Sequence, residues 1–238
     1  MLFEQAARSH VGCRRKNNED ALLSRPDIGL WAVADGMGGH AAGDVASALI
    51  VERLGQIGAP ASAGALKKTV QTALEGVNHE LWQIGGEGAR TMGSTVVALV
   101  AGEDGFSSLW AGDSRAYLLR DGTLRQLTRD HSLVQHLVDS GDLTPEAALN
   151  HPNANIITRA VGHAPKLELD SSSDRDMRVG DHFLLASDGL IRLFREDEMA
   201  AAQAADDLED LADRWVETAL ERGAPDNLSF VLIRVAAI

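Results

Sequence analysis

The sequence predicts an α+β fold, with packed, largely antiparallel sheets and helix pairs on their outer faces. Three observations predict it. Apolar runs of four to eight residues, rich in Val, Ile and Leu and bounded by Gly or Asp, recur along the chain. Stretches with apolar residues at three and four spacing lie before and after the strand-rich middle. Tight-turn dipeptides, Asp104-Gly105 and Asp121-Gly122, separate neighbouring runs, which favours hairpins and a layered domain over a doubly wound one.

Taken in order, strands are expected at 21–24 and 29–34, then helices over 41–56 (Val45, Leu49, Leu54) and 63–84 (Leu66, Val70, Leu74, Val77, Leu81). Strands follow at 95–101, 106–111 and 115–120, and Asp121-Gly122 turns the last of these into a hairpin with Leu124–Leu127. The stretch 129–162 mixes a short helical pattern (Leu133, Leu137, Val138) with Gly141-Asp142, Pro145 and Pro152, and reads as a compact inserted lobe. A strand at 182–186, helices over 196–204 and 206–221 and a strand at 228–235 complete the chain. Ser171-Ser172-Ser173 and the Ala-rich pieces are too short to be disordered domains, and no repeat or linker divides the chain, so residues 1–238 are expected to form a single domain.

Composition narrows the function. The 238 residues are 45% hydrophobic, enough for one sizeable core. Lys+Arg number 22 against Asp+Glu 35, a net charge of −13, and aromatics are 4%; both argue against a nucleic-acid binder or a basic membrane-surface helix, which need positive charge to meet phosphate. The same excess raises self-repulsion, which divalent cations would relieve. Cys13 is the single cysteine, so neither an intrachain disulfide nor a thiolate zinc cluster can form, and a reducing compartment is expected. Met1–Gln5 lacks the basic start and apolar run of a signal peptide, and no apolar stretch reaches the roughly 18 residues of a membrane span. The expected location is cytoplasmic, without membrane insertion.

The most informative residues are aspartates at the ends of apolar runs. Leu30–Ala34 runs into Asp35-Gly36, Leu109–Gly112 into Asp113-Ser114, and Phe183–Ser187 into Asp188-Gly189; Asn18-Glu19-Asp20 and Asp226-Asn227 open two other strands. A carboxylate at the lip of an apolar strand costs desolvation, and five converging on one sheet edge would repel one another. Hard divalent cations such as Mg²⁺ and Mn²⁺ relieve that, because they take oxygen ligands and keep several waters. Any one such aspartate alone is more readily a turn residue, as Asp121 is; Asp35 and Asp188 fit a hairpin poorly because a Gly-rich or helical segment follows each.

Gly36-Met37-Gly38-Gly39-His40-Ala41 follows a strand, opens a helix and matches the G-x-G-x-x-A spacing of dinucleotide-binding turns. Asp35 would put a carboxylate where pyrophosphate sits, and the elements that follow do not alternate strand and helix. The glycines fit better with a backbone that approaches a metal, with the Gly36 carbonyl available as a ligand.

Together, Gly12-x-x-Arg15-x-x-Asn18-Glu19-Asp20, Asp35-Gly36-Met37-Gly38-Gly39-His40, Gly93-Ser94-Thr95, Gly112-Asp113-Ser114-Arg115, Leu127-Thr128-x-Asp130-His131-Ser132, Ser187-Asp188-Gly189-Leu190 and Asp226-Asn227 resemble, in order, the motifs of metal-dependent type 2C serine/threonine protein phosphatases, bacterial branch. The resemblance runs from about residue 10 to about residue 235. It implies a four-layer α-β-β-α sandwich, in which a central antiparallel β-sandwich is flanked by helix pairs, with 129–162 as a flap beside the active site. It also implies a centre of two Mn²⁺ or Mg²⁺ ions. Asp35 would bridge them, Asp188 and Asp226 would complete the first, and the Gly36 carbonyl would join the second. Glu19 and Asp20 would hold metal-bound waters, Asp113 with Asp188 would supply the third site seen in bacterial members, and Arg15 would hold the substrate phosphate.

The chemistry agrees: two cations sharing a water make hydroxide available near neutral pH for in-line attack on phosphorus, so no protein nucleophile is needed. Arg15 suits phosphate through its planar fork, although Arg14-Arg15-Lys16 read alone is a solvated basic patch. Cys13 lacks the loop of a cysteine phosphatase and no G-x-S-x-G elbow occurs; Cys13 and Met37 read as packing residues. His10, His79, His131, His136 and His182 lack ligand spacing and read as surface or hydrogen-bonded groups. Where eukaryotic members usually carry a histidine, this chain has Met37, which cannot donate a proton; His40 and a metal-bound water are the alternatives, and the general acid stays unassigned. The expected activity is hydrolysis of phosphoserine and phosphothreonine in phosphorylated proteins, opposing a cognate Ser/Thr kinase. Overall similarity, rather than any motif, is to phosphatases of type VI secretion clusters. The rival readings are a non-catalytic phosphoprotein-binding module on the same fold, which would have lost metal ligands, and a two-metal nuclease, which the negative charge disfavours.

Overall fold

A computed structural model describes residues 2–38, 42–59, 61–89, 92–148 and 151–237. Its strands are β1 Leu2–His10, β2 Asp20–Arg25, β3 Leu30–Met37, β4 Gly93–Ser94, β5 Val96–Gly102, β6 Gly105–Ala111, β7 Arg115–Arg120, β8 Thr123–Gln126, β9 Asp170–Asp174, β10 His182–Ala186 and β11 Leu228–Ala236. Its helices are α1 Ala42–Gly55, α2 Ala63–Ile84, α3 Leu133–Ser140, α4 Pro145–Ala148, α5 Asp188–Ile191, α6 Glu196–Ala200 and α7 Leu208–Glu221.

The strands form two antiparallel sheets, ordered β1-β11-β10-β7-β8 and β2-β3-β5-β6-β9, with β4 paired to β3. Side chains alternate across a strand, so each sheet feeds two apolar layers. On β3, Leu30, Ala32 and Ala34 face α1 and α2, where they meet Ile50, Leu54, Leu66 and Leu74. Trp31 and Val33 face the other sheet and pack with Val97, Leu99, Phe183, Leu185, Val231 and Ile233. On β11, Leu228, Phe230 and Leu232 turn outward to Leu211 and Trp215 of α7. The result is four layers, helices, sheet, sheet, helices, as expected. It also explains why the central strands read as unbroken apolar runs rather than alternating ones.

Helix ends follow local chemistry. The Ser62 hydroxyl accepts from Ala65 N at 3.1 Å to cap α2, and the Asp207 carboxylate accepts from Glu209 N and Asp210 N to start α7, two residues later than the apolar spacing alone indicates. The 196–204 stretch divides into α6 and a 3-10 turn over Ala201–Ala204. Three strands have no apolar run to mark them, and of these β4 is only the pair Gly93–Ser94 against β3. β1 is an edge strand of mixed polarity held by β11 from Leu2↔Ala236 to His10↔Leu228, and β9 is the polar run Asp170–Asp174, an edge strand on β6.

Within 129–162, α3 begins at a Ser132 cap and ends at Gly141 (φ 83°), at the break the sequence marks. Ser132↔Ile157 and Ser94↔Val161 bridges tie the lobe to itself and to β4. Residues 149 and 150 of the lobe, and Gly39, His40 and Ala41 of the Gly-rich segment, lie outside the described residues.

Candidate metal centre

The sheet topology brings the strand-end aspartates to one end of the sandwich. β2 and β3 are antiparallel with Asp20 opposite Asp35, so the start of one strand meets the end of the other. β3 and β6 both run antiparallel to β5, which puts Asp113, just past β6, at that same end. In the facing sheet, β10 ends where β11 begins, placing Asp188 at the first turn of α5 beside Asp226.

Two glycines make the approach possible. A Cβ on Gly36 would stand 2.1 Å from the Gly43 carbonyl oxygen and 2.7 Å from that of Glu19, so only glycine lets α1 and the 11–19 loop close on the end of β3. A Cβ on Gly189 would stand 1.8 Å from the Asn227 carbonyl oxygen, so glycine there lets α5 lie against the start of β11.

Asn227 organises the mouth. Its Oδ1 accepts from Glu19 N at 2.9 Å, and its Nδ2 donates to the Val11 and Asn17 carbonyls, both at 2.9 Å. This clamp holds the loop that carries Arg15, whose Nη2 donates to Asp226 Oδ2 at 2.6 Å. Deeper in, the Ser187 hydroxyl donates to Asp20 Oδ2 at 2.9 Å and accepts from Ser229 N. Asp35 N donates to Thr95 Oγ1, and Thr95 N donates to the Asp35 carbonyl at 2.8 Å.

The electrostatics are adverse for a centre made of carboxylates alone. Burial pushes the Asp20 and Asp113 carboxyls up to about 7. It also raises Asp35 well above the ordinary carboxylate range, with the charges of Asp20, Asp188, Asp113 and Asp226 adding to it. Asp188 is raised too, by burial first, against the opposing charge of Arg192. Asp35 and Asp188 keep some surface open, yet protein surrounds most of each carboxyl. Asp20 Oδ1 and Asp113 Oδ1 are buried without a hydrogen-bond partner. Unpartnered buried acceptors amid mutually repelling carboxylates are what oxygen-seeking cations would satisfy. Among the described residues, no three His, Cys, Asp or Glu side chains are grouped closely enough to hold a metal ion as they stand.

The other candidates fall elsewhere. Cys13 is exposed, its thiol 3.7 Å from the Leu220 carbonyl, rather than packed in a core. His131 is buried; its Nδ1 accepts from Gly112 N, so Nε2 carries the proton toward Asp170 at 3.2 Å. His182 is buried against the Gly180 carbonyl and Arg234, away from this end of the sandwich. Sequence reasoning missed the clamp made by Asn227, the serine pair Ser187 and Ser229, and Arg192. Only Arg192 carries a signal, its four-residue spacing from Asp188.

Residues 8–232 match the protein phosphatase 2C family model. The chain belongs to the protein phosphatase 2C family. It is 38% identical, over 99% of its own length, to the serine/threonine protein phosphatase PstP of Mycobacterium tuberculosis, and spans 45% of that relative. Its fold is similar to that of PppA, described as a key regulatory component of T6SS in Pseudomonas aeruginosa, with a TM-score of 0.89, 43% identity and 98% of each chain covered. It is also similar to the catalytic domain of PstP in complex with two manganese ions, with a TM-score of 0.81, 34% identity and 99% of each chain covered.

Proposed function

We propose that this protein is a Mn²⁺- or Mg²⁺-dependent serine/threonine phosphoprotein phosphatase. The observation that carries the reading is the group of buried carboxylates, Asp20, Asp35, Asp113 and Asp188, with unpartnered oxygens on Asp20 and Asp113. In this reading Asp35, Asp188, Asp226 and the Gly36 carbonyl would hold two ions, with Asp35 shared between them, Asp188 and Asp226 serving the first and the Gly36 carbonyl the second. Glu19 and Asp20, the latter opposite Asp35, would hold waters bound to the ions. When bound, the ions supply hydroxide from water near neutral pH and positive charge to meet phosphate.

The chain's own residues do the rest. Arg15 stands half-exposed at the mouth on the loop that Asn227 clamps, and its fork receives the phosphate oxygens once Asp226 is turned to a cation. The groove beside the centre, about 970 Å³ and bounded by the 129–162 lobe, α5 and α6, gives a polypeptide room to lie with its phosphorylated side chain toward Asp35. This lobe acts as the family's flap.

The physiological substrates are phosphorylated proteins, and the protein opposes a Ser/Thr kinase. The likeness to PppA supports a setting in type VI secretion. Among the described residues no helix is long and apolar enough to cross a membrane.

A phosphothreonine peptide tests the reading. Hydrolysis is expected with Mn²⁺, should cease on chelation, and should fall at least about 100-fold in Asp188→Ala, the scale of a lost metal ligand. An inactive wild type that binds the phosphopeptide would favour a non-catalytic binding module. A variant as fast as wild type would remove Asp188 from the centre.

A further inference from the structure

Resting on the metal-centre reading, we propose that the Arg192 guanidinium takes the place of a third divalent cation beside Asp113 and Asp188. The chain then holds two ions tightly and admits a third only when Arg192 is displaced.

Arg192 follows α5, one helical turn beyond Asp188, and its Nη2 lies 2.8 Å from Asp188 Oδ2. Its Nη1 donates to Asn155 Oδ1 on the opposite wall of the groove. Asp113 lines this same groove; it is 6% exposed, and its Oδ1 is buried without a partner, the acceptor a cation between the two aspartates would take up.

A guanidinium keeps its charge at any neutral pH, so it cannot be titrated away and must be moved. Helical spacing from Asp188 and the bond to Asn155 resist that movement from two sides. A divalent ion entering between Asp113 and Asp188 would meet a fixed like charge at short range. The ions on Asp35 are less affected, because Arg192 engages Asp188 through Oδ2 and leaves its Oδ1 free of the guanidinium.

Equilibrium Mn²⁺ binding to the full chain, followed by calorimetry, tests this. Wild type is expected to bind two ions, with a third at least about tenfold weaker. Arg192→Met should tighten the third at least about tenfold and leave the first two within about twofold, whereas Arg192→Lys, which keeps the charge, should resemble wild type. Asn155→Ala removes one of the two restraints on Arg192 but keeps its charge, and should tighten the third by clearly less than Arg192→Met does. Should Arg192→Met fail to fold, Arg192→Gln is read the same way. A third affinity unchanged by removal of the charge, or raised equally by Asn155→Ala, would overturn the proposal while leaving the two-ion centre intact. Absence of Mn²⁺ binding in every variant would instead overturn the reading on which it rests.

Discussion

At the scale of single residues, Asp20 and Asp113 are raised to about 7 by burial, whereas in the unfolded chain such carboxyls ionise near about 4. A raised native value means the folded, metal-free protein holds extra protons across that interval. The stability they contribute is complete below about pH 4 and is lost as pH rises through about 7. Cations bind the ionised carboxylates and reverse the loss. The rise in melting temperature at a fixed Mn²⁺ concentration should therefore be small near about pH 5 and larger by several degrees near about pH 8. An equal rise at both would separate these aspartates from metal binding. The aspartates themselves were legible, because a charged residue at the lip of an apolar strand is anomalous on its own. Asn227, Ser187 and Ser229 gave no comparable signal, since their roles depend on which loop or carboxylate they meet, and a polar residue at the end of a strand is ordinary.

At the scale of elements, the central strands and long helices were legible because burial on both faces or on one stripe leaves a periodic apolar pattern, as in β3 and α2. β1 and β9 were not, because an edge strand owes its place to the partner it pairs with: β11 for one, β6 for the other. Glycines at the element junctions give a sharp test. Gly189→Ala would drive a Cβ into the Asn227 carbonyl and is expected to cost about 3 kcal/mol of stability and most of the activity. Gly76, on the exposed face of α2, has nothing within 4 Å of the position a Cβ would take, so Gly76→Ala should stabilise by about 0.5–1 kcal/mol with activity unchanged. Urea unfolding measures both; a neutral Gly189→Ala would show that α5 does not need this close approach to β11.

At the scale of the molecule, three apolar layers stack helices, two sheets and helices, and the antiparallel order forces alternate strand ends to one edge. That geometry turns scattered aspartates into one cluster, and gives part of the net charge of −13 a place where cations can meet it. The remaining acidic excess lies over a surface laced with arginine pairs, such as Arg53 with Glu80 and Arg222 with Glu198. The central claim is that this end of the sandwich is a two-ion centre built on Asp35. A crystal grown with Mn²⁺ and measured for anomalous scattering near the manganese edge tests it most directly. The account predicts two peaks that share Asp35, one also touching Asp188 and Asp226 and the other the Gly36 carbonyl. Well-ordered density for those residues with no anomalous peak between them would contradict it.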